Sequence, residues 1–261
     1  MKPFELDARA AWNAGAEAFA RFVDSGADYY RHLVHGPGLL AACGEVRGVA
    51  ALDAGCGHGY FARLLARAGA AVTGVDLSDG LLARAVEAEA KEPWGIRYVH
   101  MEAAEIGDRF GEGRFDLVTG CMSLQDMADP AAVLAGAERV LRRKGRMVFS
   151  VPHPCTDPPV REWQRDGQGR KLALCLDRYF DAGPAVCHRD MKRLTGRWST
   201  PYHRFTLTQW GTMIRGAGFV IRGLSEPRPD ARAVALHPEL EDCSRMPYFL
   251  VFEVVKAASG S

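Results

Sequence analysis

Residues 49–59, Val-Ala-Ala-Leu-Asp-Ala-Gly-Cys-Gly-His-Gly, constrain the fold of this chain more than any other stretch. Small apolar residues and Leu52 suit a buried strand, and Asp53 stands where that strand ends. Gly55, Gly57 and Gly59 predict a tight turn into the amphipathic run Tyr60–Arg67. A glycine-rich strand-to-helix turn lets a ligand come close to the backbone. An acid at its mouth would repel phosphate and suits a ligand with a cationic or hydroxyl-rich end. From here strand-like stretches (49–54, 71–76, 96–101, 115–121, 146–152) alternate with helix-like ones (59–68, 79–91, 130–142). That alternation predicts a parallel sheet with helices on both faces. Ser78 or Asp79 suits the cap of the second helix, and Asp129-Pro130 is a helix start.

The flanking segments read differently. Residues 8–45 are helical in pattern, with Trp12, Ala16, Phe19 and Val23 on one face and breaks expected at Gly26 and at Gly36-Pro37-Gly38. Residues 153–205 lack clear periodicity and carry ten basic against six acidic residues. Such a stretch inside an α/β domain reads as a functional insertion. A helix over Thr206–Gly218, a strand over 219–224, an irregular segment over 225–246 and a last strand over 248–255 complete the chain.

Bulk properties narrow the partners. The 261 residues suffice for one large α/β domain with a cap, and a net charge of +1 gives no global pull toward nucleic acid or an anionic membrane. No apolar run nears the roughly 20 residues that cross a bilayer, and residues 1–7 show no signal-peptide core. The seven cysteines read as reduced thiols, giving a cytoplasmic expectation. Cys155, Cys175, Cys187 and His188 fit no compact zinc spacing, so no metal is expected.

Asp76 ends the second strand about 20 residues after Gly55, where a ribose-binding acid belongs in a mononucleotide-binding unit. Four ordered signatures then carry a family resemblance: Leu52–Gly59, Val75-Asp76-Leu77-Ser78, Phe115-Asp116-Leu117-Val118 and Leu141–Met147. Together they resemble the class I S-adenosylmethionine-dependent methyltransferases, closely over residues 45–152 and loosely over 206–256. The resemblance implies a Rossmann-like seven-stranded mixed sheet with helices on both faces and an antiparallel last strand. Residues 1–45 would form an N-terminal helical cap, 46–152 the cofactor-binding core, 153–205 an inserted cap over the substrate, and 206–261 the completion of the core. It also implies roles: Gly55 and Gly57 beside the methionine part of the cofactor, Asp53 near its amino group, Asp76 on the ribose hydroxyls and Leu77 against the adenine. Glu102 and the Ala103 N–H would meet the adenine, with Glu102 standing where the family commonly has Asp, and Cys121 would lie beside the methionine portion. A Tyr or Arg of the N-terminal segment, here Tyr30 or Arg31, would meet the methionine carboxylate; simple packing is the alternative.

The methyl acceptor is less legible. A sulfonium is a good leaving group, so transfer depends mainly on positioning, and a base is needed only where the acceptor keeps its proton. His153, after the fifth strand, is one candidate base; a histidine held between prolines for turn geometry is the alternative. Asp126 is a second candidate, with a loop or capping role beside it. Trp163, Tyr179, Phe180, Trp198, Tyr202 and Phe205 suit either a substrate pocket or a satellite cluster, while His188 and His203 suit the surface. Met122–Met127 replaces the Asn-Pro-Pro-Tyr-type motif of many nucleic-acid amino-methylating relatives. The expectation is a small-molecule acceptor carrying an O, N, S or C nucleophile, without membrane or nucleic-acid partner; alternatives are an RNA (tRNA) methyltransferase and a non-catalytic cofactor- or dinucleotide-binding module.

Overall fold

In the computed structural model, residues 6–190 and 197–257 are described. The first helix, α1 (Ala8–Asp24), is capped by the Asp7 carboxylate, which accepts from the Ala10 N–H, and buries Ala16, Phe19, Ala20 and Val23 on one face. The core then alternates as read: β1 (Ala50–Ala54), α3 (Tyr60–Arg67), β2 (Ala71–Asp76), α4 (Asp79–Lys91), β3 (Arg97–His100), the short α5 (Ile106–Phe110), β4 (Phe115–Cys121), α6 (Pro130–Val140) and β5 (Leu141–Pro152), with α2 (Gly36–Cys43) preceding β1. Ser78 caps α4 by accepting from the Leu81 N–H, and Asp129 caps α6. Ser78 thus fills the capping role, and Asp79 lies in the first turn.

After two hairpins come α7 (Leu207–Gly216), β10 (Phe219–Ser225), α8 (Ala231–Leu236), α9 (Glu241–Arg245) and β11 (Phe249–Lys256). The seven-stranded sheet has the order β10-β11-β5-β4-β1-β2-β3, with β11 antiparallel to both β5 and β10 and the other neighbours parallel. Successive side chains of β5 serve opposite faces. Met147, Phe149 and Val151 pack with α6 and α7 (Leu134, Ala137, Trp210, Ile214), whereas Val148 joins Leu39, Phe61 and Leu65 of α2 and α3. Among the described residues, no helix is long and apolar enough to cross a membrane.

Three sequence expectations change. Gly36-Pro37-Gly38 does not break the second helical stretch: the chain widens into a π turn, Arg31–His35, and runs on as α2. Pro37 offers no N–H, and the Gly36 N–H reaches back five residues to the Arg31 carbonyl, so the wider turn absorbs the proline. Residues 153–205 hold two antiparallel hairpins, β6 (Val160–Arg165) with β7 (Lys171–Asp177) and β8 (Gly183–Asp190) with β9 (Arg197–Arg204). Residues 225–246, read as irregular, carry α8, a 3₁₀ turn and α9.

Candidate active site

The glycine turn runs from β1 into α3 and is anchored on the neighbouring strand β2. The Gly55 and Cys56 N–H groups donate to the Val75 carbonyl at 2.8 and 2.9 Å, pinning the turn to the end of β2. Gly55, Gly57 and Gly59 have φ of 71°, 56° and 84°, a region that L side chains rarely adopt. A Cβ at Gly57 would meet nothing nearer than Leu81 Cδ1 at 3.9 Å, so the missing side chain leaves room above the turn.

That room belongs to a cavity of about 420 Å³ at the carboxyl ends of β1, β2 and β4. Its floor holds Gly55, Gly57, Asp76, Leu77, Glu102, Ala103 and Cys121. The Asp76 carboxylate accepts from the Gly57 and Ser78 N–H groups, each at 2.8 Å. Burial raises its pKa above the usual carboxylate range, and these N–H groups work against the rise. Arg31 enters from the π turn, held by Asp28 (Nε to Oδ2, 3.0 Å) and lying 5.3 and 5.5 Å from the Phe19 and Tyr60 ring centroids. Its Nη1 stands 3.9 Å from Cys121 Sγ, and the Tyr60 hydroxyl donates to its carbonyl at 3.2 Å.

The other end of the cavity is polar. Met122, just after β4, adopts φ 53° and turns the chain into the 3₁₀ turn Leu124–Asp126. The Ser123 hydroxyl ties this turn to the glycine turn by donating to the Ala54 carbonyl at 2.8 Å. Asp126 is buried; Arg189 Nη2 donates to its Oδ2 at 3.1 Å, while Oδ1 has no partner. Burial lifts this carboxyl to about 6, against the pull of Arg189 and Arg31. Gln125 donates to the Met122 carbonyl at 2.7 Å and leaves its buried Oε1 unpartnered. The β8–β9 hairpin contributes Val186, Cys187, Arg189, Tyr202 and Arg204, and Asp157 accepts from the Tyr202 hydroxyl. From α1, Trp12 lies 4.4 Å beneath the Arg189 guanidinium, and Trp198 of β9 packs so closely on Gly15 that a Cβ there would fall 2.1 Å from its ring.

Three expected site residues lie elsewhere. Asp53 is no acidic mouth: it is fully buried behind the turn, where Thr119 Oγ1 donates to its Oδ1 at 2.9 Å, and it does not line the cavity. Burial raises it to about 7. Tyr30 points away, donating to the Glu239 carbonyl at 2.8 Å and stacking with Tyr248. His153 is buried outside the cavity; its Nδ1 accepts from the Cys155 N–H at 3.2 Å, so Nε2–H donates to Glu226 Oε1 at 3.0 Å. Both ring nitrogens are engaged, and His153 caps the turn Pro154–Thr156.

Of the six aromatics considered for the pocket, Tyr202 alone lines it: Trp198 sits in the α1 cluster, Phe205 packs on Trp210, Trp163 donates to Asp242, Tyr179 accepts from the Leu207 N–H and Phe180 is exposed. Among the described residues, no group of three or more His, Cys, Asp or Glu side chains is placed to hold a metal. Asp157, Arg189, Arg204 and His35 also line the cavity and belong to no sequence motif, because the fold gathers them from distant positions; His58, also in the lining, comes with the glycine turn.

A methyltransferase domain model matches residues 52–149. The structure is similar to that of an S-adenosylmethionine-dependent methyltransferase from Mesorhizobium loti, with 30% identity, 84% of this chain and 95% of that chain covered and a TM-score of 0.67. The chain belongs to the class I S-adenosylmethionine-dependent methyltransferases. It is thus an enzyme whose cofactor is S-adenosylmethionine and whose cofactor product is S-adenosylhomocysteine. A putative methyltransferase of this kind from Listeria monocytogenes is similar at 25% identity over 97% of its length, with a TM-score of 0.70. A ubiquinone biosynthesis O-methyltransferase of Methylococcus capsulatus is 37% identical over 112 residues, 43% of this chain. The match spans 47% of that relative, about half its length.

Proposed function

We propose that this methyltransferase acts on a small-molecule acceptor held between the glycine turn and the β8–β9 hairpin, with Asp126 as the group that takes the acceptor's proton. The observation that carries this reading is the buried Asp126 carboxylate, with an unpartnered oxygen, in the wall of the cavity that begins at the glycine turn. The fit to the cofactor rests on the open space over Gly57 and on the Asp76 carboxylate, which keeps acceptor capacity for ribose hydroxyls beyond its two N–H bonds. Leu77, Glu102 and Ala103 serve the adenine end, and Gly55, Cys121 and Arg31 the methionine end, with Arg31 suited to a carboxylate. When bound, S-adenosylmethionine supplies an electrophilic methyl on a sulfonium. The chain's part is positioning: α1 and β9 pack together at the Trp198–Gly15 contact, and the same elements place Trp12, Tyr202 and Arg204 in the cavity wall. At neutral pH Asp126 is largely ionised and accepts a proton, and Arg189 fixes its orientation. The partial likeness to a ubiquinone biosynthesis O-methyltransferase supports a small-molecule O–H acceptor over a macromolecule.

The test is Asp126→Asn, assayed by S-adenosylhomocysteine release against small phenols and N-heterocycles. A proton-accepting carboxylate predicts a kcat loss of about 100-fold with unchanged cofactor affinity. Wild-type activity should rise as pH passes upward through about 6, where Asp126 loses its proton, and the variant should lack that limb. Wild-type kcat in the variant contradicts the role.

A further inference from the structure

The acceptor end of the cavity holds charges of both signs, and one of its cations makes no ion pair among the described residues. Arg189 is paired with Asp126, and Arg31 with Asp28. Asp157 accepts from the Tyr202 hydroxyl, and the charges of Arg204 and Arg161 work against the rise that burial gives its pKa. Arg204 makes no ion pair among the described residues, its buried Nε has no hydrogen-bond partner, and its guanidinium carbon lies 5.7 Å from the Tyr202 ring centroid. A guanidinium is always charged and presents a planar fork that matches a carboxylate. Shielding it without a partner costs more than shielding it with one, so the free fork marks a place where an anion is worth most. The neighbouring Gln125 Oε1 and Asp126 Oδ1 lack donors, so the same end favours a proton-bearing group a short way from that anion. The aromatic side chains of Trp12 and Tyr202 line the space.

We infer that the methyl acceptor is a planar aromatic or heteroaromatic acid, whose carboxylate-type anion is bound by Arg204 while its O–H or N–H nucleophile faces Asp126. This rests on the acceptor site proposed above and adds to it a specificity-determining residue. Both ends of the molecule matter: the anion sets register along the cavity, and the register brings the nucleophile to the proton acceptor.

Matched isosteres isolate the charge. Calorimetry on the protein saturated with S-adenosylhomocysteine would compare 4-hydroxybenzoate with 4-hydroxybenzamide, and 2-naphthoate with 2-naphthamide. The wild type should bind each acid at least ~10-fold more tightly than its amide, as a charge-assisted contact implies. In Arg204→Gln that ratio should fall to about 1, and in Arg204→Lys, which keeps the charge but not the fork, it should be intermediate. Affinity for S-adenosylhomocysteine reports whether each variant is folded. Equal affinity for acid and amide in the wild type, binding of neither, or a ratio that survives in a folded Arg204→Gln overturns the inference. The proposed role of Asp126 is judged separately: a wild-type ratio near 1 together with a kcat loss in Asp126→Asn removes the anion and leaves the proton acceptor standing.

Discussion

Two carboxylates at the ends of β1 and β2 meet opposite surroundings: Asp76 accepts from the Gly57 and Ser78 N–H groups in the cavity, and Asp53 is fully buried against Thr119. Asp76 lies where its spacing from Gly55 puts it, because a strand end and the following turn are local geometry. Asp53 reads as equally exposed, yet its side chain turns inward between β1 and β4, toward Thr119. A one-dimensional pattern gives the position of a strand end but not the direction of its last side chain. His153 shows the same gap: whether it faces the cavity depends on Glu226, far along the chain. Asp53 carries a testable consequence. Its folded-state pKa, about 7, exceeds the ordinary carboxylate value of 3.8, so the folded protein holds the proton more tightly than the unfolded chain. The corresponding stability is fully present below pH 4 and is lost as pH rises through 7, by at most ~4 kcal/mol at 1.36 kcal/mol per pKa unit. Asp53→Asn removes this dependence. Its melting temperature should therefore gain on that of the wild type between pH 5 and pH 8; a difference constant with pH would show that Asp53 does not titrate in this way.

At the scale of elements, the core strands and helices were legible because each obeys one period: buried runs in β1 and β4, and an apolar stripe on α3. The β6–β7 hairpin was not, since its strands have mostly exposed residues on both faces and lack the alternation that a half-buried strand shows. Gly36-Pro37-Gly38 misled for a different reason. Each residue is a helix breaker by propensity, but the π turn supplies a geometry in which all three fit. Gly36 is required there: a Cβ would lie 2.3 Å from the Tyr60 hydroxyl and 2.6 Å from the Arg31 carbonyl. Gly36→Ala should therefore push on the two groups that position Arg31. We expect a stability loss of about 1–3 kcal/mol by denaturant unfolding, as for overpacked sites, and a severalfold weaker S-adenosylmethionine affinity. A variant destabilised but unchanged in cofactor affinity would separate Arg31 from the cofactor.

For the whole molecule, the order β10-β11-β5-β4-β1-β2-β3 brings β1 and β4 side by side, so that the glycine turn and the Asp126 turn meet across one cavity. Five of the seven strands, the glycine turn and Asp76 follow from patterns within residues 45–152, whereas β10, β11 and Arg31 lie outside that stretch. The acceptor end depends on how β8–β9 folds back against α1, a long-range contact made through Trp198, Gly15, Arg189 and Trp12 that no local pattern encodes. The proposed roles require the cofactor to lie along the floor from Asp76 to Arg31 with its sulfur directed toward Asp126. A crystal structure of the protein with S-adenosylhomocysteine tests this placement most directly. Ribose hydroxyls are expected on the Asp76 carboxylate, the amino-acid carboxylate on Arg31 and the sulfur facing the space between Asp126 and Arg204. A nucleoside bound away from Asp76, or a sulfur facing away from Asp126, would contradict it.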